Sequence, residues 1–271
     1  SISFGTPVVF ESATSSNIGS TFDSNSNKVV VVYRDGGNSN YGTAIIGTVS
    51  GTGISFGTAV VYETSSSQYN SATFDSNSNK VVIAYRDGGD SNIGKAVVGT
   101  VSGTGISFGS IVVYNNAVTS YSVITFDSSS NKVVIAYQDG GTNKGTAVVG
   151  TVSGTNISFG SEVAFTDNDA SRVSIAYDSD EEKVVVAYRD EDNSSVGTAV
   201  VGTVSNTSIS FGTPVVFNNG STLQIASDYD ATAKRTVIAM YDLGVTQNGV
   251  VLSGAISGTS ISFSSPAAFN V

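Results

Sequence analysis

Carboxylates recur along this chain at fixed intervals, and that repetition limits the chemistry they can do. One set is Asp23, Asp75, Asp127, Asp178 and Asp230, each followed by a short polar run and a basic residue. In the first two copies the run reads Asp-Ser-Asn-Ser-Asn-Lys. Oxygen ligands then fall at the first, third and fifth positions, as in a calcium loop, but the glycine at position six and the glutamate at position twelve are missing. The plainer reading is an Asp that caps its own turn, closed by Lys28, Lys80, Lys132, Lys183 or Arg235. The fourth copy is the most acidic, and Asp178, Asp180 and Glu182 are the candidate calcium ligands. No other cofactor is expected.

A second set closes the phrase Tyr-Arg-Asp. It supplies Arg34 and Asp35, Arg86 and Asp87, Gln138 and Asp139, and Arg189 and Asp190; the fifth unit departs, with Met240-Tyr241-Asp242. One reading is a polar pocket repeated along one rim. The other is an ion pair between neighbouring units plus an Asp that starts a turn. A third set varies where its neighbours repeat. Asn17, Tyr69, Tyr121, Arg172 and Gln224 occupy one position of successive units. The loop after Tyr-Arg-Asp varies too, through Asn38 and Tyr41, Asp90 and Asn92, Asn143 and Lys144, Asp192 and Asn193, and Gln247 and Asn248. Exposed Tyr with Asn, Asp and Arg suits sugars, offering a flat apolar face to C–H groups and planar amides and carboxylates to hydroxyls. The glycan candidates are therefore Asn17, Arg34, Asp35, Tyr41, Tyr69, Arg86, Asp87, Tyr121, Gln138, Asp139, Arg172, Arg189 and Asp190; the alternative is drift in solvent loops.

Catalysis is disfavoured by the same symmetry. A glycosidase needs two carboxylates in one asymmetric constellation, whereas here they repeat in every unit or crowd into the fourth. His and Cys are both absent, so there is no Ser-His-Asp triad, Cys nucleophile, imidazole or thiolate metal site, or disulfide. The glycines mark turns rather than a nucleotide loop. The expectation is a non-enzyme.

What must position these residues is a repeat. Ile-Ser-Phe begins at Ile2, Ile54, Ile106, Ile157, Ile209 and Ile261, in steps of 52, 52, 51, 52 and 52 residues. Such a period with several short strands marks a propeller or repeat array. Each period holds four extended stretches with turn chemistry between them. The run Val81 to Ala84 is continuously apolar, and its equivalents, including Thr236 to Ala239, read as strands covered on both faces. Pro7, Pro214 and Pro266 share one position of the Ile-Ser-Phe stretch, which assigns it to a sheet edge. The small-residue stretch at Gly19-Ser20-Thr21 and Ser71-Ala72-Thr73 then lies innermost. The pattern predicts an all-β fold: a five-bladed β-propeller of four-stranded antiparallel blades, over about 17–65, 69–117, 121–168, 172–220 and 224–270, in one repeat domain. An open array is the alternative. The sixth Ile-Ser-Phe copy, Ser1 to Phe10, is a surplus outer strand, read as a closure or assembly element that adds to a sheet edge of its own ring or of another copy.

The chain has 271 residues and a net charge of −10, which repels phosphate backbones and argues against nucleic acid. No apolar run is long enough for a membrane helix. The first residues show no signal peptide, which suggests a processed product.

The phrase Gly-Thr-Val-Ser-Gly-Thr-x-Ile-Ser-Phe-Gly-Thr-Pro-Val-Val-Phe, standing with small changes at Gly99 to Ser110 and Gly202 to Phe217, resembles tandem repeats of structural and tail-fibre-like proteins of marine phages and some marine bacteria. The five-bladed arrangement resembles tachylectin-like lectins in architecture, though this chain has no Trp. The resemblance implies a component of an extracellular or virion surface, with adhesion to glycans or assembly into a fibre as its work. Its partners would be cell-surface glycans or other fibre subunits. A glycoside hydrolase or lyase is the third reading.

Overall fold

The valine runs decide where the core lies. The computed structural model describes residues 4–244 and 248–270, and these contain 21 strands and no helix. The first sheet is built from β1 (Ser15–Asp23), β2 (Lys28–Asp35), β3 (Tyr41–Ser50) and β4 (Gly53–Phe56). A 16-residue strand, β5 (Val60–Asp75), then serves two sheets. Its first half pairs with β3 and its second half pairs with β6 (Lys80–Asp87). The pattern repeats through β7 (Ile93–Ser102), β8 (Gly105–Phe108), β9 (Val112–Asp127), β10 (Lys132–Asp139), β11 (Lys144–Ser153) and β12 (Asn156–Phe159). It continues through β13 (Val163–Asp178), β14 (Lys183–Asp190), β15 (Val196–Ser205) and β16 (Ser208–Phe211). It ends with β17 (Val215–Asp230), β18 (Arg235–Asp242), β19 (Asn248–Ser257), β20 (Ser260–Phe263) and β21 (Ala267–Asn270). The pairings recorded between these strands are antiparallel.

The chain divides into two compact units. One runs to Val118 and takes in Val152–Ser158; the other comprises Thr119–Thr151 and the chain from Phe159 onward. In the first unit, Val30, Val32, Ala44 and Ile46 of one sheet meet Tyr62, Val81, Ile83 and Tyr85. In the second, Val184, Val186 and Tyr188 pack with Val134, Val149 and Phe165, and a further layer joins Val185 and Ala199 to Phe217, Ile238 and Met240. Burying one such aliphatic side chain contributes about 1.5–3 kcal/mol, whereas an exposed ion pair contributes less than about 1 kcal/mol. Apolar packing between sheets therefore holds each unit together.

Three expectations need correction. The outer stretch is not one strand. Gly57, Thr58 and Ala59 break it into β4 and the start of β5, and Pro214 and Pro266 lie in the matching breaks rather than in a ladder. The break is tight. A Cβ on Gly57 would lie 2.0 Å from the Thr104 carbonyl oxygen of the next repeat's turn, and Gly109, Gly160 and Gly212 are pressed in the same way. Second, residues 4–10 form no strand, and residues 1–3 lie outside the described residues. Phe10 instead packs on Tyr33 and Phe56, with ring centroids 5.2 and 5.9 Å away. Tyr62 makes the same contacts on Tyr85 and Phe108 one repeat later. Third, β18 is not covered on both faces: Val237 and Ala239 are only half-buried, whereas Val184 to Tyr188 of β14 are fully buried.

The small-residue strands do pass close to one another. In the first unit a Cβ on Gly19 would lie 2.8 Å from the Asn70 carbonyl oxygen. In the second unit the Ser174 and Ser227 hydroxyls are 2.8 Å apart.

Candidate functional site

The position that varies between units proves to be a fixed backbone feature. Asn17, Tyr69, Tyr121, Arg172 and Gln224 all have left-handed φ, at 50°, 51°, 55°, 51° and 52°. Each sits where the small-residue strand slips register against its partner: between Ser16 and Gly19, Gln68 and Ser71, Ser171 and Ser174, and Leu223 and Ala226 in the strands whose slip falls on that strand's own numbering. In the third sheet the slip lies opposite Tyr121, between Ala136 and Gln138. A β-bulge re-aims a side chain. The left-handed region is costly for every residue type here except Asn, which visits it with some ease. The strain falls at equivalent places in the five units while the side chain changes.

The neighbouring residue of the ladder brings in the second set. Arg34 pairs with Ser16, Arg86 with Gln68, Gln138 with Ser120, and Arg189 with Ser171. In the first unit the Tyr69 backbone N–H donates to Asn17 Oδ1 at 2.9 Å, tying two successive bulges together. The Arg86 guanidinium lies 4.8 Å from the centre of the Tyr69 ring and donates to Gln68 Oε1. Arg34 Nε is buried without a hydrogen-bond partner among the described residues. In the second unit Arg172 covers the Tyr121 ring at 5.5 Å. A cation on one face of each ring orients it by cation–π attraction. Tyr69 and Tyr121 remain half-buried, and Gln224 is exposed.

The aspartates of the rim turn elsewhere. Asp35, Asp87 and Asp139 accept the backbone N–H of Gly37, Gly89 and Gly141, two residues on, at 2.9, 2.8 and 3.0 Å. Asp190 accepts from Asn193 N–H and from the Asn168 amide. All four are buried caps of their own turns. Asp87 also binds Lys95 at 2.6 Å and the Ser65 hydroxyl. Burial alone would raise its pKa, but the hydrogen bonds from Lys95, Ser65 and Gly89 hold it below the ordinary carboxylate range. At Arg189 the expected Arg-to-Asp pairing between units is replaced by a local one. Arg189 pairs with Glu191 at 3.2 Å and donates to Ser195, and Gln138 donates to Asp169. Tyr41 stands opposite Asp35 in the ladder, half-buried. Gln247 lies outside the described residues.

The hairpin aspartates behave in the same way. Asp23, Asp75, Asp127, Asp178 and Asp230 each accept the N–H groups two and three residues on, at 2.8 to 3.1 Å. Asp178 is spent on Asp180 N–H and Glu181 N–H, Asp180 pairs with Lys234, and Glu182 is the left-handed residue that closes the turn. Among the described residues no group of three acidic side chains is placed to hold a metal ion.

Sequence reasoning missed the aromatic contact between sheets. Glu63 accepts a hydrogen bond from the Tyr85 hydroxyl at 2.8 Å, and burial, with that carboxylate beside it, pushes this hydroxyl well above the usual tyrosine range. The signal was present in the fixed spacing of 22 residues from Glu11 to Tyr33 and from Glu63 to Tyr85.

No family model matches the chain, and no curated protein matches it. Solved structures do. A protein from Lactobacillus plantarum matches with a TM-score of 0.64 at 9% identity, over 92% of this chain and 70% of that one. AofleA from Arthrobotrys oligospora matches at 0.56 and 11% identity, over 94% and 72%. An exo-β-1,3-galactanase from Phanerochaete chrysosporium, solved with β-1,3-galactotriose, matches at 0.52 and 8% identity, over 94% and 67%. At such identities the likeness shows the fold alone. The chain is an all-β antiparallel protein whose structural neighbours include β-propeller-like proteins.

Proposed function

We propose that this chain is a non-enzymatic carbohydrate-binding module, a five-bladed propeller that presents its bulge residues to glycans at an extracellular or virion surface. One observation carries the reading: the five left-handed positions keep their backbone and change their side chain, from Asn17 through Tyr69, Tyr121 and Arg172 to Gln224. Fixed geometry with varied chemistry suits several related subsites, where avidity multiplies modest single-site affinity. Tyr69 with Arg86 and Asn17, and Tyr121 with Arg172, are the two subsites with an aromatic platform.

The test is a glycan array probed with the purified chain, with calcium and with chelator. Saturable binding lost in Tyr69→Ala and Tyr121→Ala supports the reading. Binding to no glycan on a broad array removes it.

The second reading is a fibre or appendage subunit of the tail-fibre type, assembling with further copies through its surplus segment. It is favoured by residues 4–10, which cover the first sheet through Phe10 yet leave Phe4 and Val9 90% and 76% exposed. Light scattering on the chain lacking residues 1–10 distinguishes it, since loss of polymers on deletion is the outcome it requires.

A further inference from the structure

The first repeat holds an arginine whose charge no neighbour answers. Arg34, Arg86, Gln138 and Arg189 occupy one position of successive repeats. Arg86 donates to Gln68 Oε1 and lies against the Tyr69 ring. Gln138 donates to Asp169, and Arg189 pairs with Glu191 at 3.2 Å and donates to Ser195. Arg34 has no acceptor, carboxylate or ring among the described residues. It continues the face of Val30 and Val32, which meets the second sheet. Its ladder partners are short, Ser16 on one side and Gly42 on the other. Arg34 is half-buried with Nε enclosed, which leaves the terminal nitrogens as its open part.

The same seam carries a second unanswered donor. Asn70 is 7% exposed, and its Nδ2 has no acceptor. The fourth and fifth repeats have Val173 and Ile225 at this position, so the fold does not require an amide there. The nearby acceptors are already used: Asn70 Oδ1 takes the Ser67 hydroxyl at 2.5 Å, and Asn17 Oδ1 takes the Tyr69 N–H at 2.9 Å. Ser67 stands close to Gly42, where an added Cβ would lie 3.0 Å from its own. Asp35 turns into its own loop, accepting from Gly37 and Asn38 N–H, and Glu11 reaches Tyr33 on the opposite face. A charge set partly out of water without a partner costs free energy.

We propose that Arg34 anchors the carboxylate of an acidic sugar, a sialic or uronic acid residue of a glycan. The guanidinium is a planar fork of donors, and an ionised carboxylate is acceptor-only with two oxygens to match it. A neutral sugar hydroxyl brings a donor with its acceptor and leaves the charge unanswered. The inference rests on the carbohydrate-binding reading and names the ligand class of that rim.

The test uses the full chain on an array of sialylated and uronate glycans, their neutral counterparts and sulfated glycans. Wild type is expected to bind the carboxylated glycans about tenfold or more tightly than the neutral ones. Arg34→Gln places here the residue type that the third repeat has in Gln138, so the fold tolerates it, and melting temperatures check this. It should weaken binding of the carboxylated glycans about ten- to a hundred-fold, the worth of a charge-assisted hydrogen bond. Arg34→Lys keeps the charge without the fork and should fall between. Equal binding of carboxylated and neutral glycans, binding confined to sulfated glycans, or a folded Arg34→Gln variant that binds as wild type does would each overturn the proposal while the carbohydrate-binding reading stands. Binding to no glycan removes both.

Discussion

β14 and β18 belong to the same unit and occupy the same place in successive repeats, yet they are buried differently. Val184 to Tyr188 are fully buried, while in β18 burial alternates, with Ile238 and Met240 inside and Val237 and Ala239 half-covered. Their sequences, Val-Val-Val-Ala-Tyr and Thr-Val-Ile-Ala-Met, differ far less than their surroundings. In a repeat fold each sheet's faces are covered by its neighbours; β14 packs through Val185 against Ile238 and Met240 of the following sheet in its unit, whereas burial along β18 falls on alternate residues. An apolar run therefore reports a strand's capacity to be covered on both faces, and its neighbours decide whether it is.

That contrast orders the expected effects of mutation. The largest falls on the tyrosine layer. Tyr188→Ala should cost about 3–5 kcal/mol, because it empties a fully buried site. Met240→Ala should cost about 2 kcal/mol, the low end for a buried methionine, because neighbouring Ala239 and Tyr241 of its strand are already partly uncovered. Urea unfolding of the two variants compares them, and equal costs would break the distinction between the repeats.

Next is the Lys95–Asp87 pair of the second repeat. Lys95→Met should cost about 1–3 kcal/mol at neutral pH, since it leaves a buried carboxylate without its charged donor. Burial opposes the charge on Lys95, but Asp87 and Asp90 outweigh it and raise its pKa, while that of Asp87 is lowered. The pair's contribution is then complete between about pH 4 and pH 10. It is lost as pH falls through the lowered Asp87 value, and again as pH rises through the raised Lys95 value. A pH series of melting temperatures for wild type and Lys95→Met should converge at both extremes and separate between them.

Smaller still is the turn cap. Asp178 is buried and Asp230 is exposed, although both accept the same two N–H groups. Asp178→Ala should cost about 1–2 kcal/mol and Asp230→Ala about 0.5 kcal/mol, because water replaces the lost acceptor only at the exposed turn. The smallest effect has the opposite sign. Tyr69→Gly should gain about 1 kcal/mol of backbone energy by relieving the left-handed φ, offset by the lost ring contacts, so its melting temperature should stay close to wild type.

The sequence made some of this legible and hid the rest for physical reasons. The valine runs and the Asp-x-Asn-x-Asn-Lys turns could be read because periodicity and side-chain capping are local. The break after Ile-Ser-Phe was foreshadowed by Gly57, Gly109, Gly160 and Gly212, but the need for glycine comes from a carbonyl of the next repeat. The last copy has Ser264 there, and it is exposed. The rim aspartates looked like ligand groups because composition does not say which way a carboxylate turns. The bulges were hidden because Tyr, Arg and Gln are not the residues that announce left-handed backbone. Only their variability within a repeated frame marked the column. The site residues were thus partly legible: Asn17, Tyr69, Arg86, Tyr121 and Arg172 do come together within their units, and the aspartates do not join them.

The most direct test of the glycan-binding account is an array comparison of wild type with the double variant Tyr69→Gly, Tyr121→Gly. The account predicts a folded variant of near wild-type melting temperature that has lost saturable glycan binding. A folded variant that binds as wild type does would contradict it, and the strained bulges would then be a feature of the repeat's geometry alone.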